Sequence, residues 1–235
     1  MGEGTDFVRP DLDRAKRKGV PEVILAEGKV LEHTLEMTRI FLERNGRAIL
    51  SRVSLQLEER LLATFGDKVS FEWYESARAA VLRRPDGDRP HVGGRVGVLT
   101  AGTSDLPAAE EAVMLCREMG CEVYTGYDVG VAGLHRLFGP LREMLDDHKV
   151  DVLIVAAGMD GALPSVVSGL ADVPVVGLPT AVGYGLGGQG VAALYSMLQT
   201  CAPGMAVVNV GNGIGAGAMA GVIANRAATA RKGAE

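Results

Sequence analysis

From Arg95 onward the chain repeats one pattern five times: a short apolar run, a glycine-bearing loop, and a segment with helical spacing. The apolar runs are 96–100, 122–127, 152–156, 173–178 and 206–210. A helix between two strands returns the chain to the end of the sheet where it began, so the strands it joins run parallel. Right-handed crossovers then place helices on both faces. The expected fold is α/β: a three-layer, doubly wound parallel sheet. Ligands of such sheets sit at the carboxyl ends of the strands. The loops expected there, 101–105, 128–133, 157–161, 179–190 and 211–215, hold most of the polar and glycine-rich residues.

The N-terminal part reads differently. Residues 1–21 form a charged arm. Phe7 and the basic cluster Arg14, Lys16, Arg17 and Lys18 make it either a solvated arm or a tether. A short apolar run at 22–26 precedes a helix over 31–45, which Asn45-Gly46 stops. A strand at 48–53, a helix capped by Ser54 and running to 65, and a strand at 69–74 complete a small α/β module. The stretch 83–95 (RRPDGDRPHVGGR) is rich in Pro, Gly and charge and marks the boundary. The expected domains are 1–90, a small α/β module with its arm, and 91–235, the catalytic domain.

Hydrophobic residues are 47% of the chain and aromatics only 5%, so the core must be built from Val, Leu, Ala and Ile. The net charge of −5 argues against a nucleic-acid partner, though not against a phosphorylated ligand in a local pocket. Cys116, Cys121 and Cys201 are odd in number and contain no C-x-x-C pair. Neither a disulfide framework nor a zinc site is expected, and a reducing cytoplasm fits. The N-terminus lacks an apolar leader core. The most apolar long run, 205–224, carries Asn209, Asn212 and five glycines, which reads as strand, turn and helix and gives no reason to expect a membrane. No G-x-G-x-x-G with a following acid dominates, so a dinucleotide fingerprint is not the reading.

The candidate site centres on residues 180–204. Gly183, Gly185, Gly187 and Gly188 precede an apolar helical segment that is expected to end on Cys201. Such glycines let backbone N–H groups approach an anion at a helix N-terminus. Cys201 is either a small core hydrophobe or a nucleophile. Cys116, inside a helix, and Cys121, at a strand start, read as structural. Asp160, after a buried strand, is a general base or a helix N-cap. Thr103 and Ser104 suit a phosphate. Asp105 would repel one unless it caps the helix or holds a ribose hydroxyl, and all three also read as turn and cap residues. His135 is structural or catalytic, and Arg136 suits a carboxylate or phosphate. His33, His91 and His148 join no constellation, and no grouping has metal-ligand spacing. Gly213, Gly217 and Gly221 recur every four residues and predict a tight helix contact, between subunits or on the chain's own sheet.

Longer stretches carry a resemblance. Val98-Leu99-Thr100-Ala101-Gly102-Thr103-Ser104-Asp105, the run from Tyr127 through His135-Arg136, Ala157-Gly158-Met159-Asp160-Gly161-Ala162-Leu163-Pro164-Ser165 and Cys201-Ala202-Pro203-Gly204 resemble the LarB family. So do Arg17-Lys18-Gly19-Val20-Pro21-Glu22-Val23-Ile24, Glu27-Gly28-Lys29 and Ser51-Arg52-Val53-Ser54. That family makes the pyridinium-3,5-biscarboxylic acid mononucleotide precursor of the nickel-pincer nucleotide cofactor. The C-terminal domain is more distantly similar to the carboxyaminoimidazole ribonucleotide mutase PurE, a flavodoxin-like enzyme that forms octamers.

The resemblance implies carboxylation of nicotinic acid adenine dinucleotide at pyridinium C5, with CO₂ or bicarbonate as co-substrate, and hydrolysis of the phosphoanhydride to release AMP. It implies no tightly bound cofactor, and it leaves open a divalent metal such as Mg²⁺ for the hydrolysis. A homo-oligomer, an octamer by the same resemblance, is expected. Cys201 matches the family's nucleophile and Asp160 its base. Thr103, Ser104 and Asp105 would hold the ribose-phosphate, and Gly183, Gly185, Gly187 and Gly188 would hold phosphates. Asp128, His135 and Arg136 would line the ring or ribose, with Gly158 and Met159 beside Asp160. The chain departs from the family at two places: Asp160 stands where Glu is usual, and Gly211 where an acid is usual. The shorter side chain loses on the order of 1 Å of reach, a displacement that matters for proton transfer. The alternatives from other classes are an aminoimidazole ribonucleotide carboxylase or mutase, which needs no thiol, and a non-catalytic nucleotide-binding scaffold.

Overall fold

The structure is a computed structural model that describes residues 9–234; Phe7 lies outside the described residues. The chain divides into two compact units, Met1–Arg89 and Pro90–Glu235.

The first unit contains α1 (Arg14–Lys18), β1 (Ile24–Leu25), α2 (Leu31–Asn45), β2 (Arg47–Ser51), α3 (Leu55–Phe65), β3 (Ser70–Tyr74) and β4 (Ala79–Arg83). The sheet order is β1-β2-β4-β3; β1 and β2 run parallel and the other pairs antiparallel. Ser54 caps α3 as its sequence position predicts, accepting from the Leu57 N–H at 3.2 Å. Leu35, Phe41, Leu57, Leu61 and Phe65 from the helices meet Ile24, Leu50 and Leu82 in one apolar cluster. Strand β4 is absent from the sequence reading, which passes from a strand at 69–74 to a linker at 83. Its run Ala-Ala-Val-Leu is short and shows no alternation, because β4 lies between β2 and β3 and all four residues are buried.

The second unit contains β5 (Arg95–Thr100), α4 (Leu106–Glu118), β6 (Glu122–Gly126), α5 (His135–Arg142), β7 (Val152–Ala157), α6 (Ala162–Leu170), β8 (Val175–Pro179), α7 (Val191–Leu198), β9 (Met205–Val207) and α8 (Gly213–Lys232). All five strands pair parallel in the order β6-β5-β7-β8-β9. Helices cover both faces. Leu137, Leu141, Leu163, Val167, Ala193 and Met197 from α5, α6 and α7 pack with Leu99, Leu153, Val155 and Val175 on one side. On the other side α4 and α8 pack on each other and on the central strands. This is the expected three-layer architecture. Because the chain leaves β5 first to one side and later to the other, the order reverses between β5 and β7. The crevice at such a reversal, above the carboxyl ends, is where ligands of these sheets bind.

Two local features differ from the expected helices. The helix opened by His135 widens into a π-turn over Glu143–Asp147, where the His148 N–H bonds to the Glu143 carbonyl at 3.0 Å. The glycine ridge of α8 is consumed inside the chain, neither between subunits nor on the sheet alone. A Cβ at Gly213 would stand 2.1 Å from the Ala108 carbonyl oxygen, and one at Gly217 would stand 2.8 Å from that of Ala112. The ridge lets the axes of α4 and α8 approach closely. Asn212 caps α8 by accepting from the Gly215 N–H at 2.8 Å.

Candidate active site

The carboxyl ends of β5, β7 and β8 are tied together by polar contacts. Asp105 follows β5 in a single 3₁₀ turn, Thr103–Asp105, and is 4% exposed. One carboxylate oxygen accepts from the Gly102 N–H at 2.9 Å, and the other accepts from the Thr180 hydroxyl at 2.6 Å. Thr180 follows β8, and β7 lies between β5 and β8, so this bond bridges the end of β7. Asp105 thus caps its turn through the Gly102 N–H, one of the roles left open by the sequence, and also ties Thr180, which the sequence did not indicate. Thr103 and Ser104, beside it, are exposed.

Asp128 follows β6 with φ of +57°, unusual for a residue with a side chain. Its N–H donates to the hydroxyl of buried Thr100 at 3.0 Å, and the next N–H, of Val129, donates to the Thr100 carbonyl at 2.9 Å. These bonds hold the turn. The Asp128 carboxylate accepts from Arg136 at 2.6 Å on the surface. His135 is exposed at the start of α5. The structure thus joins Asp128 and Arg136 and places His135 next in the chain.

The loop after β7 shows the same economy. Gly158 is buried, and a Cβ there would lie 2.3 Å from the Val182 carbonyl oxygen. Met159 has φ of +55°, and its N–H donates to that same carbonyl at 2.7 Å. Asp160 is exposed, and its carboxylate accepts from the Ala162 N–H at 3.4 Å at the start of α6. The N-cap of α6 is Gly161, so Asp160 stands one residue before the cap and keeps a carboxylate open to solvent. The crossing loop from 181 to 186 is wholly exposed, with Tyr184 82% exposed. Two of the four glycines at 183–188 have a visible reason to be glycine. Gly185 has φ of +73°, and a Cβ on Gly187 would stand 2.2 Å from that of Ala192. Gly183 lies beside Met159, and Gly188 faces open space.

Cys201 departs from the expected helix end. Helix α7 stops at Leu198, and Cys201 follows three residues later in the connection to β9. The Thr200 hydroxyl accepts from the Ala202 N–H at 3.1 Å and turns the chain there. Cys201 is exposed, so the core-thiol reading does not hold. Cys116 and Cys121 are buried as expected. Burial drives the Cys116 thiol well above its ordinary range, and pushes that of Cys121 up to about 12. Of the three thiols, only that of Cys201 is exposed.

Cys201 also lies at the opposite end of the sheet from the other candidates. It precedes β9, whereas Asp105, Asp128 and Asp160 follow β5, β6 and β7. Sequence spacing had grouped Cys201 with the glycine loop at the other end of α7; only the topology separates them. Thr100 and Thr180, which fasten the carboxyl rim, were missed as site residues. Their one visible signal is a hydroxyl residue at the end of an apolar strand. Among the described residues, no group of three or more His, Cys, Asp and Glu side chains is gathered to hold a metal ion. No described helix is long and apolar enough to cross a membrane.

An all-parallel sheet in the order 2-1-3-4-5, with polar residues at the switch crevice, defines a flavodoxin-like α/β unit. Residues 95–233 match the AIR carboxylase family, and residues 3–84 match the LarB/PurE-like N-terminal domain. The chain belongs to this LarB/PurE-like family: an AIR carboxylase domain preceded by a LarB/PurE-like N-terminal domain. It is 40% identical to an uncharacterized protein of Methanocaldococcus jannaschii over 91% of this chain and 82% of that one. It is 35% identical to an N5-carboxyaminoimidazole ribonucleotide mutase of the same organism, over 48% of this chain and 67% of the relative. A mutase of the same name from Synechocystis is 33% identical, over 53% and 69% of the two chains.

Proposed function

We propose that this protein is a pyridinium carboxylase and hydrolase. It takes nicotinic acid adenine dinucleotide and CO₂ or bicarbonate to pyridinium-3,5-biscarboxylic acid mononucleotide and AMP, a step toward the nickel-pincer nucleotide cofactor. The observation that carries the reading is the exposed Cys201 in a chain whose N-terminal residues match the LarB/PurE-like domain. An aminoimidazole ring is electron-rich and takes up CO₂ without help. A pyridinium is electron-poor and needs a nucleophile to add first.

The electron flow is as follows. The Cys201 thiolate forms a C–S bond at the ring carbon para to nitrogen, and a ring electron pair moves onto nitrogen. The remaining C5=C6–N unit is an enamine, and C5 forms a bond to CO₂. Asp160 takes the proton from C5, the electron pair of that C–H bond returns to the ring, and the C–S bond breaks. Aromaticity and the free thiolate are both restored. Thr103 and Ser104 offer hydroxyls to the ribose-phosphate, and Arg136 and His135 offer cationic and polar contacts at the same rim.

One observation favours a second reading, a ribonucleotide mutase of the kind named among the relatives. Within one chain the carboxyl rim holds Asp105, Asp128 and Asp160 but not Cys201. The test is mass spectrometry of products from the dinucleotide and ¹³C-bicarbonate. The pyridinium reading predicts a labelled biscarboxylate and AMP from the wild type, and loss of label in Cys201→Ser. Carboxylation of an aminoimidazole ribonucleotide that survives Cys201→Ser supports the mutase reading instead.

A further inference from the structure

We infer that the N-terminal unit carries a binding site of its own for a free α-amino acid with a large apolar side chain, in the cavity between the ends of α2 and α3 and the segment after β4. The inference does not depend on the pyridinium reading, because every wall of the cavity lies within residues 39–86.

The cavity has a volume of about 540 Å³. Small-molecule sites of this size bury an apolar body and orient it with a few polar groups. The base of the cavity is apolar. Leu42 from α2 and Phe65 from the last turn of α3 are buried members of the unit's core, and half-buried Val69 packs against that core. An apolar side chain entering here extends the core and leaves water.

Backbone bonds fix the walls. Helix α2 ends on Gly46, which has φ of +71° and donates its N–H to the Leu42 carbonyl at 3.1 Å. The Gly46 carbonyl accepts from the Arg84 N–H at 2.9 Å, and the Gly87 N–H donates to the Arg84 carbonyl at 2.9 Å. A Cβ on Gly87 would stand 2.3 Å from the Gly46 carbonyl oxygen, so the turn after β4 rests directly on the end of α2. On the other wall the Lys68 N–H donates to the Phe65 carbonyl at 2.8 Å. Strands β3 and β4 pair from Ser70 and Arg83 onward, which ties the wall of Lys68 and Val69 to that of Arg84. The cavity is therefore built before any ligand arrives, and binding need not order it.

Charge selects the ligand. Arg39, Lys68 and Arg84 line the cavity together with Glu43 and Asp86. Arg84 donates to the Asp86 carboxylate at 2.7 Å, and Arg39 donates to that of Glu36 at 2.6 Å. Both arginines thus have carboxylate partners already. Lys68 and Glu43 are exposed and, among the described residues, have no ion-pair partner. They are opposite in sign and line one cavity without pairing with each other. A ligand that satisfies both brings a carboxylate to Lys68 and an ammonium to Glu43. A phosphate brings negative charge alone and meets Glu43 unpaired, so it fits less well. An apolar body beside a carboxylate and an ammonium is an α-amino acid such as tryptophan, phenylalanine or leucine.

The test is isothermal titration calorimetry of the full chain with L-tryptophan, L-phenylalanine and L-leucine. At least one should bind saturably at a single site. For the amino acid that binds, the amine lacking the carboxylate and the acid lacking the ammonium should each bind about fivefold more weakly. Lys68→Met should weaken the amino acid about fivefold and leave the amine unchanged, and Glu43→Gln should weaken it about as much and leave the acid unchanged. Both side chains are exposed, so thermal melting should show the fold retained. Thr64→Trp, which fills the cavity from its α3 wall, should abolish binding. No saturable heat with any of the three amino acids overturns the site. Binding that ignores Lys68→Met and Glu43→Gln, or an acid that binds as tightly as its amino acid, overturns the assignment of the ligand. None of these readings involves carboxylation, so their failure leaves the pyridinium reading where it stands.

Discussion

The two faces of the parallel sheet are covered by chemically similar helices that do opposite things. On one face, α8 is rich in Gly and Ala and fits against α4 so closely that Gly213, Gly217 and Gly221 have no room for a side chain. On the other face, α7 buries Ala193 and Met197 and leaves Val191, Tyr195 and Leu198 in solvent. Both helices come from the same uncharged stretch of sequence. Glycine spacing lets two axes approach, whereas large apolar residues at i, i+4 and i+7 form an apolar stripe along one helix face. The first helix closes the fold, and the second keeps an apolar stripe on the surface.

The largest expected effect breaks the closed face. Gly217→Leu drives a branched side chain into the Ala112 backbone, which cannot yield, and should lower the unfolding free energy by about 3 kcal/mol in urea titrations. Tyr195→Asp on the open face should leave the chain's own unfolding free energy within about 0.5 kcal/mol, because Tyr195 is 63% exposed. Equal destabilisation by both substitutions would erase the contrast between the faces.

Asp105→Ala comes next. It removes two hydrogen bonds to a buried carboxylate and leaves the Gly102 N–H and Thr180 hydroxyl without that acceptor, a loss of about 2 kcal/mol by urea unfolding. Asp105→Asn, which keeps an oxygen acceptor, should lose less.

The thiols sharpen the comparison of interior and surface. Ellman titration of the native protein at pH 8 should modify one thiol per chain, Cys201, and all three in denaturant. Cys121 has its folded-state value raised from 9.0 to about 12. Its contribution to stability is therefore full below pH 9 and is lost as pH rises from 9 toward 12, because the unfolded chain releases the proton first. Cys121→Ala should flatten that alkaline decline.

The smallest effect belongs to the rim pair Arg136 and Asp128. Both are substantially exposed, so Arg136→Ala should change stability by under about 1 kcal/mol. A substrate-binding role would raise KM for the dinucleotide instead.

Much of this architecture is legible in the sequence, because apolar runs separated by glycine loops and helical spacing mark each parallel strand. The helix over Leu31–Asn45 and the Ser54 cap follow from local chemistry alone. Strand β4 was not legible, since a short run buried on both faces lacks the alternation that identifies a half-exposed strand. The candidate site was legible as a set of residues but not as an arrangement. Nothing local to Asp105 shows that Thr180, 75 positions away, will occupy one of its oxygens. Sequence proximity joined Cys201 to the glycine loop of 183–188, yet a helix in a parallel sheet carries the chain from one rim to the other. The placement of Cys201 is thus a property of topology.

The most direct test of the account is a near-ultraviolet difference spectrum of the protein mixed with nicotinic acid adenine dinucleotide in the absence of CO₂. Addition of the Cys201 thiolate to the ring converts a pyridinium to a dihydropyridine, so a new band should grow with the wild type and be absent with Cys201→Ser. The same band from both proteins, or from neither while the dinucleotide binds, would contradict a thiol-based reaction.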